Sequence, residues 1–458
     1  MTSPNIPSKS VNAWIFLDED EPAGTGYTSI NSVYQSLVNN QVYTNTDMLF
    51  ICFFSVVPDG KGYFTIEIGN KNAIHPDGST TQEYLQYTIR DARAQNADTK
   101  ILATLNYNDN TLSQIFGMNP QQWPVQAANF ASNVKSYLQS MQMNGLDIDW
   151  EGAFSTAISQ EQFSILFKAI RSAFNTIAPA YMYLTMCPAE VGNLDVTTVN
   201  YCFDLVTLQL YSGFTSPSEF TSIGIIPQLL AYGAKFESNF QNANEANNGA
   251  LTGFPFNGQQ YVYNNITQWR LNSGNYVFEQ GQQILLYLLA YNKPGSIFND
   301  GAIVARAGNP ALSSLIVHSG DVIDAIQATC TGTFNGKPGM LGLLQHGGNG
   351  GNNNAININA GDFITEVSGY TGSWYGWNVV AQLKIKTKAG NVYGPYGTMN
   401  NVTNKNAFTY TAPQNQCIVA LNGSTIQVPM AQGGTTLVVA EISVSYAQVK
   451  VAELHPNG

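Results

Sequence analysis

Short apolar runs alternate with amphipathic stretches through the first part of the chain, and the two have different periods. Eight runs read as strands: Ala13–Leu17, Met48–Val56, Lys100–Asn106, Gly145–Trp150, Met182–Pro188, Leu205–Tyr211, Leu229–Phe236 and Gln283–Tyr291. Between the third and fourth, Trp123–Met141 has a helical period. Between the fourth and fifth, Ile158–Ile177 sets Phe163, Leu166, Ile170 and Phe174 on one face. Strands too apolar for one-sided exposure, interleaved with helices, predict an α/β fold: a closed (β/α)8 TIM barrel. In such barrels chemistry sits at the carboxyl ends of the strands.

After about Lys293 the pattern changes. Asn292-Lys-Pro-Gly-Ser296 punctuates the chain, and from Leu312 to Val451 short alternating strands are separated by Gly, Asn and Pro, with no convincing helix. A boundary there divides the chain into a barrel over 1–293 and an all-β domain over 294–458. The run His346-Gly-Gly-Asn-Gly-Gly351 falls inside the second domain as a turn. No helix start follows it, so it is not a phosphate cradle.

Within the fourth predicted strand, Asn144-Gly-Leu-Asp-Ile-Asp-Trp-Glu151 repeats a carboxylate at every second position. In an extended strand Asp147, Asp149 and Glu151 share one face, while Leu146, Ile148 and Trp150 share the other. Acidic side chains are seldom buried without a role, and crowding them raises the pKa of at least one, which suits a general acid. A calcium site or a solvated acidic edge would use the same residues.

Composition narrows the partners. Across 458 residues the net charge is −11, with only 19 Lys+Arg, which argues against nucleic acid or an anionic membrane surface. Charged residues are 11% of the chain, and the surface is expected to be neutral and hydrogen-bonding, as uncharged sugars require. The five cysteines are scattered and form no CxxC pair, and the four histidines have no ligand spacing, so buried free thiols, no structural metal and no cofactor are expected. No run is long enough to span a membrane. Met1–Ser10 shows no secretory signal pattern, which leaves the location open.

The Asn144–Glu151 strand resembles the DxxDxDxE signature of family-18 glycoside hydrolases, the chitinases and endo-β-N-acetylglucosaminidases, with Asn144 at the first acidic position. Leu184–Ala189, with Met186 at its centre, looks like that family's fifth strand, Gln209-Leu-Tyr211 like its sixth, and Ala231-Tyr-Gly233 like its seventh. The resemblance covers roughly Val11–Lys293. It implies substrate-assisted retaining hydrolysis beside N-acetylglucosamine, an exception to the two-carboxylate scheme. Glu151 would be the acid and Asp149 would orient the acetamide. Asp147 would share a proton with Asp149, and Tyr211 would bond the acetamide oxygen. Gln209, on the same strand face as Tyr211, would help hold the ring, with Met186 and Tyr287 also on the substrate side. Barrel packing is the alternative for Tyr211 and Gln209. Two departures stand out. Loss of the first acid is expected to remove a structural hydrogen bond at Asn144. The eighth strand offers Leu285 or Tyr287 where many relatives carry a tryptophan under the reacting sugar.

The second domain resembles the jacalin-related lectins, a β-prism fold, through Ile316–Gln327, Gly347-Gly348, Phe363–Gly369 and Leu383–Gly397. That family binds sugar through a glycine-rich loop and a late loop ending in aspartate, where Ala440 stands here. The prism is therefore either a sugar site or a docking scaffold. Trp150 between Asp149 and Glu151 favours a chitinase acting on chitin or chitooligosaccharides. An endoglycosidase on N-glycan cores and a non-catalytic carbohydrate-binding protein are the alternatives.

Overall fold

The computed structural model describes residues 5–17, 26–30, 32–107, 110–175, 181–213, 215–291, 297–334, 336–430 and 435–449. It divides into two compact units, Met1–Tyr291 and Asn292–Gly458. The predicted boundary at Lys293 and its Asn-Lys-Pro-Gly-Ser punctuation lie outside the described residues.

The first unit is an eight-stranded parallel barrel. Its strands are Ser10–Phe16, Met48–Pro58, Lys100–Leu105, Gly145–Trp150, Tyr183–Pro188, Leu205–Leu208, Leu230–Lys235 and Asn265–Trp269. Each pairs with the next, and the first closes the ring on both the second and the eighth. Outside the ring, Phe64–Ile68 folds back antiparallel on the second strand, and Phe254–Phe256 pairs antiparallel with Gln259–Tyr261.

Alternation sorts the side chains into two packed regions. Val11, Ala13 and Ile15, Leu49 and Ile51, Leu146, Ile148 and Trp150 point out and join the helices in one large core. Trp14, Phe16, Phe50, Cys52, Leu102 and Cys187 point in and form a separate cluster inside the ring. Both faces of every strand are thus covered, which is why the strands read as nearly continuous apolar runs. The predicted helices form as Trp123–Ser140 and Gln160–Phe174, the second capped by a Ser159/Gln162 capping box. At the entry to the fourth strand a Cβ on Gly145 would sit 2.2 Å from the Tyr183 carbonyl oxygen, so the close approach of these two strands needs glycine.

The eighth strand corrects the sequence reading. Gln283–Tyr291 is the end of a helix, Tyr276–Ala290, whose buried positions Glu279, Gln280, Gln283 and Leu286 recur at helical spacing. A short apolar run does not distinguish a buried strand from a buried helix segment. The true strand, Asn-Ile-Thr-Gln-Trp, does not read as one because Asn265 and Thr267 line the polar floor of the barrel, beside Ser10 and Asn12. The sixth strand is also shorter than expected. It stops at Leu208, and Leu210–Ser212 is a 3-10 turn.

Among the described residues the second unit is all-β apart from one short helix, Asp300–Val304, which the sequence reading did not anticipate. Gly308–Ser319, Ile323–Phe334, Lys337–Gly342 and Asn352–Asn357 make one antiparallel sheet. Ile364–Trp374, Trp377–Thr387, Val392–Tyr396 and Val402–Thr411 make a second group, and Gln416–Pro429 pairs with Thr435–Gln448 as a third. Val322, Val379, Ala381, Val402, Val428 and Val438 close the core between them, giving a β-prism. The hairpin at Tyr375-Gly376 turns in two residues, both left-handed, as a tight turn matched to strand twist requires.

Candidate active site

The fourth strand delivers its carboxylates inward at three depths. Asp147 is the deepest. It is buried and accepts hydrogen bonds from Trp14 Nε1 at 3.2 Å, Thr104 Oγ1 at 3.1 Å and Thr185 Oγ1 at 2.6 Å. Burial pushes its pKa up, and these three donors pull against that rise.

Asp149, one layer higher, is 2% exposed and has no hydrogen-bond partner on either carboxylate oxygen. Burial first, then the neighbouring Glu151 and Asp147, holds its pKa well above the usual carboxylate range. A buried polar group left in this state costs folding free energy, and such groups concentrate at functional sites. The expected hydrogen bond carrying a proton between Asp147 and Asp149 is not formed. Donors from the first, third and fifth strands fill Asp147, so the two carboxyls couple through their charges alone.

Glu151 leaves the strand at the barrel mouth with its backbone still extended. Gln209 Nε2 donates to its Oε2 at 3.0 Å. Burial raises the Glu151 pKa, the Gln209 donor opposes the rise, and the Glu190 carboxylate adds to it. Trp150 turns outward as alternation requires, packing on Phe154, Phe163 and Phe167 and donating from Nε1 to the Gly192 carbonyl at 3.0 Å.

Gln209 and Tyr211 reach the site from a turn rather than from one strand face. The Tyr211 phenol is held well above its usual pKa by burial and by the acidic groups around it, Cys187, Asp149, Glu151 and Cys52. Met186 does not reach the site. In register with Ile148, it packs in the outer core, and the inward position beside Asp149 belongs to Cys187. Tyr287 is likewise misplaced by the strand error. It lies on the Tyr276–Ala290 helix with its ring 4.7 Å from that of Tyr291.

Trp269 is the residue that the sequence reading missed. It ends the eighth strand, its ring 5.0 Å from Phe16, 5.6 Å from Trp14 and 6.3 Å from Tyr211. An aromatic at the inner end of the eighth strand is therefore present. The alternation of Asn265-Ile-Thr-Gln-Trp269 was the available signal. Asn144 also departs from expectation. Its Oδ1 accepts from Arg93 and from the Ile101 amide, so the structural hydrogen bonding persists without the acid.

The prism holds a second buried carboxylate. Asp324, near the start of Ile323–Phe334, is 7% exposed, and its Oδ2 has no hydrogen-bond partner. Glycines of the 346–351 run crowd it: a Cβ on Gly350 would lie 2.6 Å from Oδ1, and one on Gly351 2.5 Å from Oδ2. Burial raises its pKa. A cleft of about 550 Å³ lined by Gly320, Asp321, Asn354, Tyr396 and Thr398 opens alongside. Gly348 bonds the backbone of both Asp324 and Leu437, whereas Ala440 brings no carboxylate.

All five cysteines are buried free thiols. Among the described residues no cluster of His, Cys, Asp and Glu is arranged to hold a metal, and no helix is long and apolar enough to cross a membrane.

Comparison with known proteins places both units. The jacalin-like lectin domain profile matches residues 293–428. Horcolin from Hordeum vulgare is 38% identical over 85 residues, 19% of this chain and 56% of its own length, so the chain spans about half of the curated relatives it matches. AcmJRL, a mannose binding jacalin related lectin from Ananas comosus, is 23% identical over 34% of this chain and 92% of that one, with a TM-score of 0.25. Frutalin from Artocarpus incisa, solved in complex with galactose, is 24% identical over 33% and 99%, with a TM-score of 0.25. The glycosyl hydrolases family 18 profile runs over residues 25–307, more than half of the chain, and the protein belongs to that family.

Proposed function

We propose that the barrel cleaves β-1,4 glycosidic bonds beside N-acetylglucosamine, in chitin or chitooligosaccharides, by a substrate-assisted retaining mechanism. The observation that carries this reading is Glu151, held by Gln209, next to a buried Asp149 with both oxygens unpartnered. Gln209 occupies Glu151 Oε2, which leaves Oε1 to carry the proton. Glu151 gives that proton to the glycosidic oxygen as the bond to C1 breaks. The acetamide carbonyl oxygen of the same sugar closes on C1 and forms an oxazolinium ring. Asp149 accepts the acetamide N–H and offsets the positive charge developing on the ring. The Tyr211 hydroxyl donates to the acetamide oxygen and sets its line of attack. Trp269 forms the floor under the sugar. Water then attacks C1 from the opposite face, the bond from C1 to the acetamide oxygen breaks and re-forms the acetamide, and the water's proton passes to Glu151, restoring the acid with retained configuration.

The prism is read as a sugar-docking module, with Asp324 in its glycine cradle as the carboxylate that accepts hydroxyl hydrogen bonds. The late-loop position at Ala440 plays no part in it.

Hydrolysis of chitotetraose by the native chain beside Glu151→Gln, with products identified by mass, tests the barrel. Cleavage by the native form and a loss of at least about two to four orders of magnitude in the variant are expected. Chitotetraose left intact beside a cleaved high-mannose glycopeptide would move the reading to an endo-β-N-acetylglucosaminidase. Inertness toward both would leave a carbohydrate-binding protein.

A further inference from the structure

Glu190 stands at the mouth of the barrel and has no part in the steps above. The fourth and fifth strands fix its place. The Ala189 amide donates to the Trp150 carbonyl at 3.2 Å, so Ala189-Glu190 continues beside Trp150-Glu151 after the regular pairing ends. Thr215 Oγ1 donates to the Ala189 carbonyl at 3.1 Å and holds that backbone from the other side. The Glu190 side chain is tethered too, since the Ser155 hydroxyl bonds its Oε1. Ser155 is buried on the single helical turn that follows the acid, and its amide bonds the Glu151 carbonyl at 3.3 Å. An exposed glutamate ordinarily sweeps through solvent. This one is held from both sides at the acid.

We propose that Glu190 is a positioning residue for the general acid, a pinned negative charge that holds the proton on Glu151 until the glycosidic oxygen takes it. The inference rests on the reading of Glu151 as the acid. Other groups around Glu151 are Asp149 on its own strand, Cys187 from the fifth, and Gln209 and Tyr211 from the sixth-strand turn. Lys235 from the seventh lies over the Tyr211 ring at 5.9 Å and is ion-paired with Glu237 at 3.1 Å. Burial and mutual repulsion disfavour the charged forms of Asp149, Cys187 and Tyr211 in the free protein, and Gln209 is uncharged. Glu190 is the exposed carboxylate tethered beside this group. Like charge disfavours ionisation of Glu151, in line with the upward contribution of Glu190 to its pKa. The same repulsion makes the spent Glu151 carboxylate a better base toward the incoming water.

The test is the pH profile of kcat/KM for chitotetraose in the native chain, Glu190→Gln, Glu190→Asp and Ser155→Ala, at low and high salt. Glu190→Gln should move the alkaline limb to lower pH and leave the acid side in place. Ser155→Ala should move it less in the same direction, and Glu190→Asp should restore most of the native profile. The displacement should shrink as salt screens the exposed carboxylate. Titration of Glu151 followed by carboxyl carbon NMR gives the same answer without turnover. If the native chain cleaves nothing, the hydrolase reading fails, and this titration still decides the role of Glu190. Superimposable Glu151 titrations in native and Glu190→Gln protein would overturn it.

Discussion

At the residue scale the site depends on one side chain kept in an unfavourable state. Asp149 is buried and unpartnered, with a pKa raised first by desolvation. A carboxyl whose folded pKa lies above its unfolded value binds its proton more tightly in the native state. Native stability therefore falls as pH rises from the unfolded value, about 3.9, towards the raised folded value. Asp149→Asn removes that penalty while keeping the shape. The variant should melt at a higher temperature than the native chain at pH 7 to 8, and the gap should close below about pH 4. Turnover should fall steeply in the same variant, because a neutral amide in place of the carboxylate offers no charge to the oxazolinium ring. Paired melts and chitotetraose assays across pH check this. A variant that loses turnover without gaining stability at neutral pH would show that Asp149 is not held at a cost.

At the scale of elements, legibility followed how strongly each strand had to be apolar. The fourth strand was readable to the residue because its inner face carries chemistry and its outer face carries Leu146, Ile148 and Trp150. The first three and the fifth to seventh strands were found within a few residues. The eighth failed because its inward positions are Asn265, Thr267 and Trp269, so its pattern resembles a loop, while the helix behind it has the apolar density of a strand. That one error misplaced Tyr287 and hid Trp269. Met186 failed for a smaller reason: a one-residue slip in register exchanges the faces of a strand, and Cys187 is the inward neighbour. The corrected strand carries its own test. Trp269→Ala should lower kcat/KM on chitotetraose by about five- to twelvefold, the scale of losing an aromatic contact of about 1 to 1.5 kcal/mol. Tyr287→Phe should leave the kinetics unchanged. Equal losses in the two variants would return the helix tyrosine to the site.

At the scale of the molecule the chain joins a family-18 barrel to a jacalin-like prism, and on the proposed reading the charge balance of −11 with few charged residues suits both to neutral sugars. Two modules that bind the same polymer gain from their covalent link, because holding one raises the effective concentration of the other. That gain exists only when the substrate offers both sites at once. An insoluble chitin particle offers many such sites at once, and a single tetrasaccharide does not. Asp324 separates the cases, since its cradle of Gly320, Gly350 and Gly351 lies in the second unit and the proposed acid in the first. Asp324→Asn should leave chitotetraose turnover at the native level and reduce retention on chitin particles. Sugar release from the particles should fall by roughly an order of magnitude at low protein concentration, and the deficit should fade as protein is raised, as loss of avidity requires. A melt of the variant within a degree or two of native excludes a folding defect. Unchanged retention would make the prism a scaffold for some other partner, whereas loss on the tetrasaccharide as well would place Asp324 in the service of the barrel.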